Sequence, residues 1–183
     1  DKNIQNITII NKKGKNNDIP FIDIKTKIDT ISKKFSYFPN NEDFDSKCVK
    51  VNNDDNSRIL WALDNFNEAG IMGVGVSGKT IFSFVVGYKF LEVGYQVLYL
   101  DFNEKDDFLK IEEILDVVGN YPNKKLLIIL DDIHLFKHSL DLYQELRKKT
   151  SRELKVIYVG RKVYTIYDDE VNFFKTYISV IKG

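Results

Sequence analysis

Two runs, "KLLIILDD" (Lys125 to Asp132) and "LKVIYVGR" (Leu154 to Arg161), narrow the folds open to this chain. Neither alternates polar with apolar residues, as a strand with one wet face would. Both are apolar almost throughout. Strands covered on both faces read that way, and they belong to parallel sheets sandwiched by helices. The segments around them agree. "SRILWALDNFNEAG" carries Ile59, Leu60, Leu63 and Phe66 at helical spacing, with Ser57 as an N-cap candidate, Gly70 as a stop and Trp61 expected in the core. A short apolar step at Ile71-Met72 follows. Helices are expected over Thr80 to Gly94, Asp106 to Gly119 and His138 to Thr150, the last with cations in its final turn, where they suit the helix dipole. Further strands are expected over Tyr95 to Phe102 and Tyr177 to Ile181. This alternation predicts an α/β, three-layer domain over residues 57–183 with a parallel sheet and right-handed crossovers.

Residues 1–56 differ in texture. They are rich in Asn, Asp and Lys and are expected to form a small, partly β appendage. "ITII" (Ile7 to Ile10) and "IPFIDI" (Ile19 to Ile24) flank the turn-prone "NKKGKNND", which predicts a hairpin. "FSYFPNNEDF" (Phe35 to Phe44) reads as an arm whose aromatic residues pack on the main body.

Composition excludes several classes. Of the 183 residues, 43% are hydrophobic, enough for a core, and the formal net charge is +0, so the bulk field gives no attraction to nucleic acid or anionic membranes. Cys48 is the only cysteine, so no disulfide forms within the chain, which suits a reducing, cytoplasmic compartment. No apolar run approaches the roughly 20 residues that span a bilayer. The chain opens on Asp1 with no apolar leader, and the expectation is a processed or excised chain with a lid or further domains beyond it.

The chemistry concentrates in "GVGVSGKT", Gly73 to Thr80, placed between a short apolar step and an apolar helix. The stretch fits G-x-x-x-x-G-K-[ST], the phosphate-binding P-loop or Walker A pattern. Gly73, Val74, Gly75, Val76, Ser77, Gly78, Lys79, Thr80 and Ile81 are the expected nucleotide cradle. Gly73 and Gly78 permit a tight turn whose N–H groups converge on phosphate oxygens. Lys79 would set an ammonium between the β- and γ-phosphates, and the Thr80 hydroxyl would ligate Mg²⁺. The following helix points its positive end at the anion. Val76 stands where glycine is common. A β-branched residue resists positive φ, so either the loop has an ordinary φ there or it is distorted and binds nucleotide less well.

Two acids end the "LLIILDD" strand. In a P-loop protein the first, Asp131, orients Mg²⁺ and its waters, and the second, Asp132, takes a proton from the attacking water. One strand later, Arg161 at the tip of "VIYVGR" is the candidate γ-phosphate sensor and a catalytic residue with Asp132 and Lys79. His134 is a candidate link from the γ-phosphate to the next helix and His138 a surface residue at a helix start, while a resemblance to oligomeric AAA-like rings would make Arg147 and Arg152 candidates to act on a neighbouring copy. The loop before the first helix, around Asp54 to Arg58, is a candidate contact for adenine. No Asn-Lys-x-Asp base-recognition motif follows, which points to ATP rather than GTP.

The combination of "GVGVSGKT", "LLIILDDIH" and "VIYVGR" resembles the STAND branch of AAA-like ATPases. The "DDIH" run is similar to the Asp-Asp-x-His of transcription activators of the maltose-regulator type, and Arg161 to their sensor 1 arginine. The resemblance implies a five-stranded sheet in the order 5-1-4-3-2, with strands beginning near Ile71, Gln96, Lys125, Lys155 and Tyr177. It also implies a slow ATPase acting as a signalling switch, with ATP and Mg²⁺ as cofactors and partners reached through protein contacts or self-association. "LLIILDDIHLF" also resembles AAA+ replication initiators and helicase loaders, which implies a DNA-handling ATPase as the alternative. A third alternative is a pseudo-ATPase that serves as an interaction module.

Overall fold

The computed structural model describes residues 21–104, 110–121 and 125–161, with the backbone of 9–10 and 16–17. In chain order the elements are β1 (Ile9–Ile10), β2 (Asn16–Asn17), β3 (Ile22–Asp23), α1 (Ile24–Lys34), α2 (Asn41–Asp45), α3 (Asn53–Phe66), β4 (Glu68–Gly73), α4 (Lys79–Glu92), β5 (Gln96–Asp101), α5 (Ile111–Asn120), β6 (Leu126–Asp131), α6 (Ser139–Arg147) and β7 (Leu154–Arg161). The protein is α/β, with a five-stranded, mostly parallel sheet in the order β3-β5-β6-β7-β4. The four strands β5, β6, β7 and β4 pair in parallel, in the expected 1-4-3-2 arrangement. The strand expected at 177–181 lies outside the described residues. The fifth described strand is β3, which pairs antiparallel with the outer edge of β5.

Each face of the sheet has its own apolar layer. Leu98, Leu100, Ile128, Leu130, Val156 and Tyr158 meet α5 and α6. Val97, Tyr99, Leu127, Ile129, Ile157 and Val159 meet α1, α3 and α4. The continuous apolar character of β6 and β7 follows directly, since alternate residues enter opposite layers. α4 is helical despite its β-branched residues because it is buried on most sides, with Phe82, Phe84, Val86, Tyr88 and Phe90 in the core. Gly87 lets it approach the sheet. A Cβ there would lie 2.5 Å from Ile24 Cδ1 and 3.3 Å from both Ile129 Cδ1 and Val97 Cγ1. Overpacking a filled core costs about 1–3 kcal/mol, more than the roughly 0.5–1 kcal/mol Ala gains over Gly in a helix. Gly87→Ala should therefore lose about 1 kcal/mol net in urea unfolding by these magnitudes; equal or greater stability would show that Ile24 swings aside freely.

Residues 21–56 contribute to the same core. Asp23 caps α1 by accepting from the Lys25 and Thr26 amides, and α1 buries Ile24 and Ile28. The aromatic arm packs as expected at two rings. Phe44 stacks on Tyr88 at 5.3 Å and Phe38 meets Phe84 edge-on, while Phe35 and Tyr37 remain exposed. The expected hairpin exists, but Ile9–Ile10 pairs with Asn16–Asn17, and the later run sends Ile22–Asp23 to the main sheet.

Three local expectations need correction. α3 begins at Asn53, not after Ser57, because Asn52 accepts from the Asp54 and Asp55 amides as N-cap. It stops at Asn67, which is left-handed (φ 60°), while Gly70 lies inside β4. Buried Lys155 secures that end, donating to Leu63 O at 2.6 Å and Asn67 Oδ1 at 3.0 Å, where a cation also suits the helix dipole. Trp61 is 60% exposed, because Ile59, Ala62 and Leu63 carry the buried face and Trp61 points away with Phe66. No helix among the described residues is long and apolar enough to cross a membrane.

Candidate functional site

β4 ends in Gly73, and the loop that follows turns tightly into α4. A Cβ on Gly73 would lie 2.9 Å from Ser77 Oγ, so any side chain there would displace the Ser77 hydroxyl. Gly78 takes φ 77° at the helix N-cap. Val76 takes φ 59° and is fully exposed, so the loop imposes a left-handed conformation on a β-branched residue. That conformation costs an L-residue about 1–2 kcal/mol, which outweighs the ~0.5–1 kcal/mol of extra chain freedom glycine loses on folding. Val76→Gly should therefore leave stability equal or higher by up to about 1 kcal/mol in chemical unfolding, whereas a clear loss would mean that Val76 is not strained.

Lys79 reaches back across the loop, donating from Nζ to Val74 O at 2.6 Å and to Ser77 Oγ at 3.2 Å. Burial draws its pKa down, and Arg161 adds to this, while Asp131 and Asp132 favour the charged form. Thr80 Oγ1 donates to Asp131 Oδ2 at 2.7 Å, joining the start of α4 to the end of β6 across 51 positions. Tyr99 donates to the same oxygen at 2.7 Å, and the Asp132 amide donates to Oδ1 at 2.8 Å. Burial pushes the Asp131 carboxyl up, and these three donors oppose the shift.

Asp132 turns out of the strand with φ 52° and starts the short 3₁₀ turn Ile133–Leu135. Arg161 lies beside Gly73 in the β4–β7 register. Its side chain passes over the loop, since a Cβ on Gly75 would sit 3.8 Å from its guanidinium. His134 Nδ1 accepts the Arg161 backbone N–H at 3.2 Å and lies 3.8 Å from Asp132 Oδ1. An accepting Nδ1 puts the neutral ring's proton on Nε2. Burial lowers the His134 pKa against the pull of Asp132, which agrees with a neutral ring.

The chain thus brings Lys79, Thr80, Asp131, Asp132, His134 and Arg161 to the C-terminal end of the parallel strands, where open α/β sheets bind ligands. Arg147 and Arg152 are not there. Arg147 Nε lies 3.7 Å from Glu68 at the start of β4, and the Arg152 carbonyl accepts from Tyr95 just before β5. His138 occupies the expected exposed position before α6.

A cleft of about 620 Å³ opens beside the loop, walled by Lys50, Val51, Asn52 and Asp55 on one side and by Gly73, Lys79, Ile81 and Phe82 on the other. Its size suits a ligand with a base, a sugar and phosphates. Asp55 falls in the segment proposed from sequence, whereas Lys50, Val51 and Asn52 were not anticipated. Tyr99 was not anticipated either. The available signal was a tyrosine two residues before the strand-end Asp101, on the same face of β5 as that acid and so on the face that Asp131 shares.

The donor set fits Mg²⁺. Two hard oxygens, Thr80 Oγ1 and Asp131 Oδ2, converge at 2.7 Å. Among the described residues no cluster of three His, Cys, Asp or Glu side chains could hold a metal alone. Mg²⁺ commonly takes only one or two protein oxygens, completing its shell with phosphates and water.

No family model matches the chain, and no curated protein matches it. Among solved structures it is similar to C. elegans PCH-2, at 12% identity and TM-score 0.45, over 64% of this chain and 36% of that one. It is also similar to AMPPCP-bound DnaA from Aquifex aeolicus, at 17% identity and TM-score 0.44, over 72% and 47% of the two chains. The chain spans less than half the length of either.

Proposed function

We propose that this chain binds Mg·ATP at the Gly73–Thr80 loop, hydrolyses it slowly, and acts as a STAND-like switch whose nucleotide state is read by protein partners or by a second copy. The observation that carries the reading is the 2.7 Å bond between Thr80 and Asp131. It brings side by side the two residues that the sequence reading assigns to one magnesium ion, which supports the proposal.

Each residue has a role in this reading. The amides from Val74 to Ile81 and the positive end of α4 cradle the phosphates. Lys79 exchanges its bonds to Val74 and Ser77 for phosphate oxygens. Thr80 and Asp131 would hold Mg²⁺, which would neutralise phosphate charge when bound. Asp132 takes the proton of a water aligned on the γ-phosphate, and Arg161 stabilises charge on that phosphate from across Gly75. The cleft wall at Lys50 to Asn52 receives the base.

The test is a melting curve with and without Mg·ATP, paired with a phosphate-release assay. Stabilisation with slow release supports the switch. Stabilisation without release supports a second reading, the pseudo-ATPase, which the left-handed Val76 favours. No stabilisation contradicts both.

A further inference from the structure

α1 raises a question that the nucleotide reading does not answer. Its buried face carries Ile24 and Ile28, yet between them stands Lys27, only 6% exposed. A buried ammonium needs a partner. Lys27 Nζ lies 3.7 Å from Asp101 Oδ2 and 5.1 Å from the centroid of the Tyr99 ring. Asp101 ends β5 and stands in register with Asp131 at the end of β6. Tyr99, two residues earlier on the same face, is 1% exposed, and its hydroxyl donates to Asp131 Oδ2 at 2.7 Å.

We propose that Tyr99 is a positioning residue for the Asp131 carboxylate and that Lys27 of α1 holds this arrangement, making the N-terminal segment a support of the magnesium site. The inference rests on the Mg·ATP reading. Three observations carry it. Tyr99 and Thr80 donate to the same carboxylate oxygen, so the Tyr99 hydroxyl helps decide how the carboxylate faces the metal position. The Tyr99 hydroxyl is also 3.5 Å from Asp101 Oδ2, so it stands between two neighbouring acids and has one proton to give. Lys27 Nζ lies 3.7 Å from Asp101, the acid in register with Asp131, and 5.1 Å from the Tyr99 ring centroid, so it holds both neighbours of the Asp131 carboxylate from α1. Supporting groups of this kind typically tune metal affinity 10–100-fold.

The experiment measures binding of a fluorescent ATP analogue to the full chain across a Mg²⁺ titration, and again with Mg²⁺ chelated. The variants are Tyr99→Phe, which keeps the buried ring, Lys27→Met, and Lys27→Arg. For Tyr99→Phe, Mg²⁺-free affinity should stay within about twofold while half-maximal Mg²⁺ rises about tenfold or more. Lys27→Met should act in the same direction, and Lys27→Arg should recover most of the effect. Tyr99→Phe with the parent's Mg²⁺ dependence would overturn the proposal. Equal losses with and without Mg²⁺ would also overturn it, since they would mark a packing role. A parent chain whose ATP affinity ignores Mg²⁺ would overturn both this proposal and the function it rests on, whereas a Mg²⁺-dependent parent with an unaffected Tyr99→Phe sinks this proposal alone.

Discussion

Replacing Lys79 with alanine is expected to abolish stabilisation by Mg·ATP. At ligand near 100 times Kd, binding adds about 2.7 kcal/mol to folding. For a chain of this size that corresponds to a rise in Tm of about 5–10 °C. Lys79 is the one ammonium on the Gly73–Thr80 loop, and its Nζ already bonds two groups of that loop. It therefore needs little rearrangement to meet a phosphate. Without it, the triphosphate loses its nearest cation in a site that also holds Asp131 and Asp132. The variant should melt near the parent's temperature without nucleotide, because Lys79 lies at the loop surface and outside the core, and should gain less than about 1 °C with it. A full shift in Lys79→Ala would show that ATP binds elsewhere.

Asp132→Asn is expected to separate binding from turnover. Asp132 holds φ 52°, and asparagine is among the few residues that accept this conformation readily, so the backbone should survive the exchange. The change removes one negative charge and the proton acceptor. General-base catalysis typically contributes 10²–10⁴-fold, so phosphate release should fall by about that factor while ATP affinity changes only a few-fold. Undiminished release would move the base role away from Asp132. Loss of binding equal to the loss of turnover would make Asp132 part of the binding site instead.

The sequence made the layered core legible because its signals are local. An apolar run such as Leu126–Asp131 states its own burial on both faces, and the loop before α4 states its own chemistry. What escaped depends on partners far along the chain. Asn16–Asn17 reads as turn and Ile22–Asp23 as the second strand of the hairpin, and only the edge of β5 decides that Ile22–Asp23 joins the main sheet instead. The start of α3 was misjudged because Asn53 to Asn56 are polar and carry no apolar periodicity, although Asn52 before them is a good cap. Trp61 looked like core because helical spacing gives a face but not its width. In the site, Asp131 was legible from its place at a strand end. Tyr99 was not, since its contact exists only once β5 and β6 are in register and the pleat turns both side chains to one face. His134 was legible as a candidate from its place after Asp132, but its bond to the Arg161 amide was not, because that bond requires two strand tips to meet.

The central claim is that the Gly73–Thr80 loop and the β6 acids enclose one magnesium–triphosphate complex. A crystal structure with Mg²⁺ and a non-hydrolysable ATP analogue tests it most directly. The account predicts phosphates against the amides of 74–81, metal at Thr80 Oγ1 with Asp131 beside it, and the base against Val51. Nucleotide bound away from Lys79, or metal remote from both Thr80 and Asp131, would contradict it.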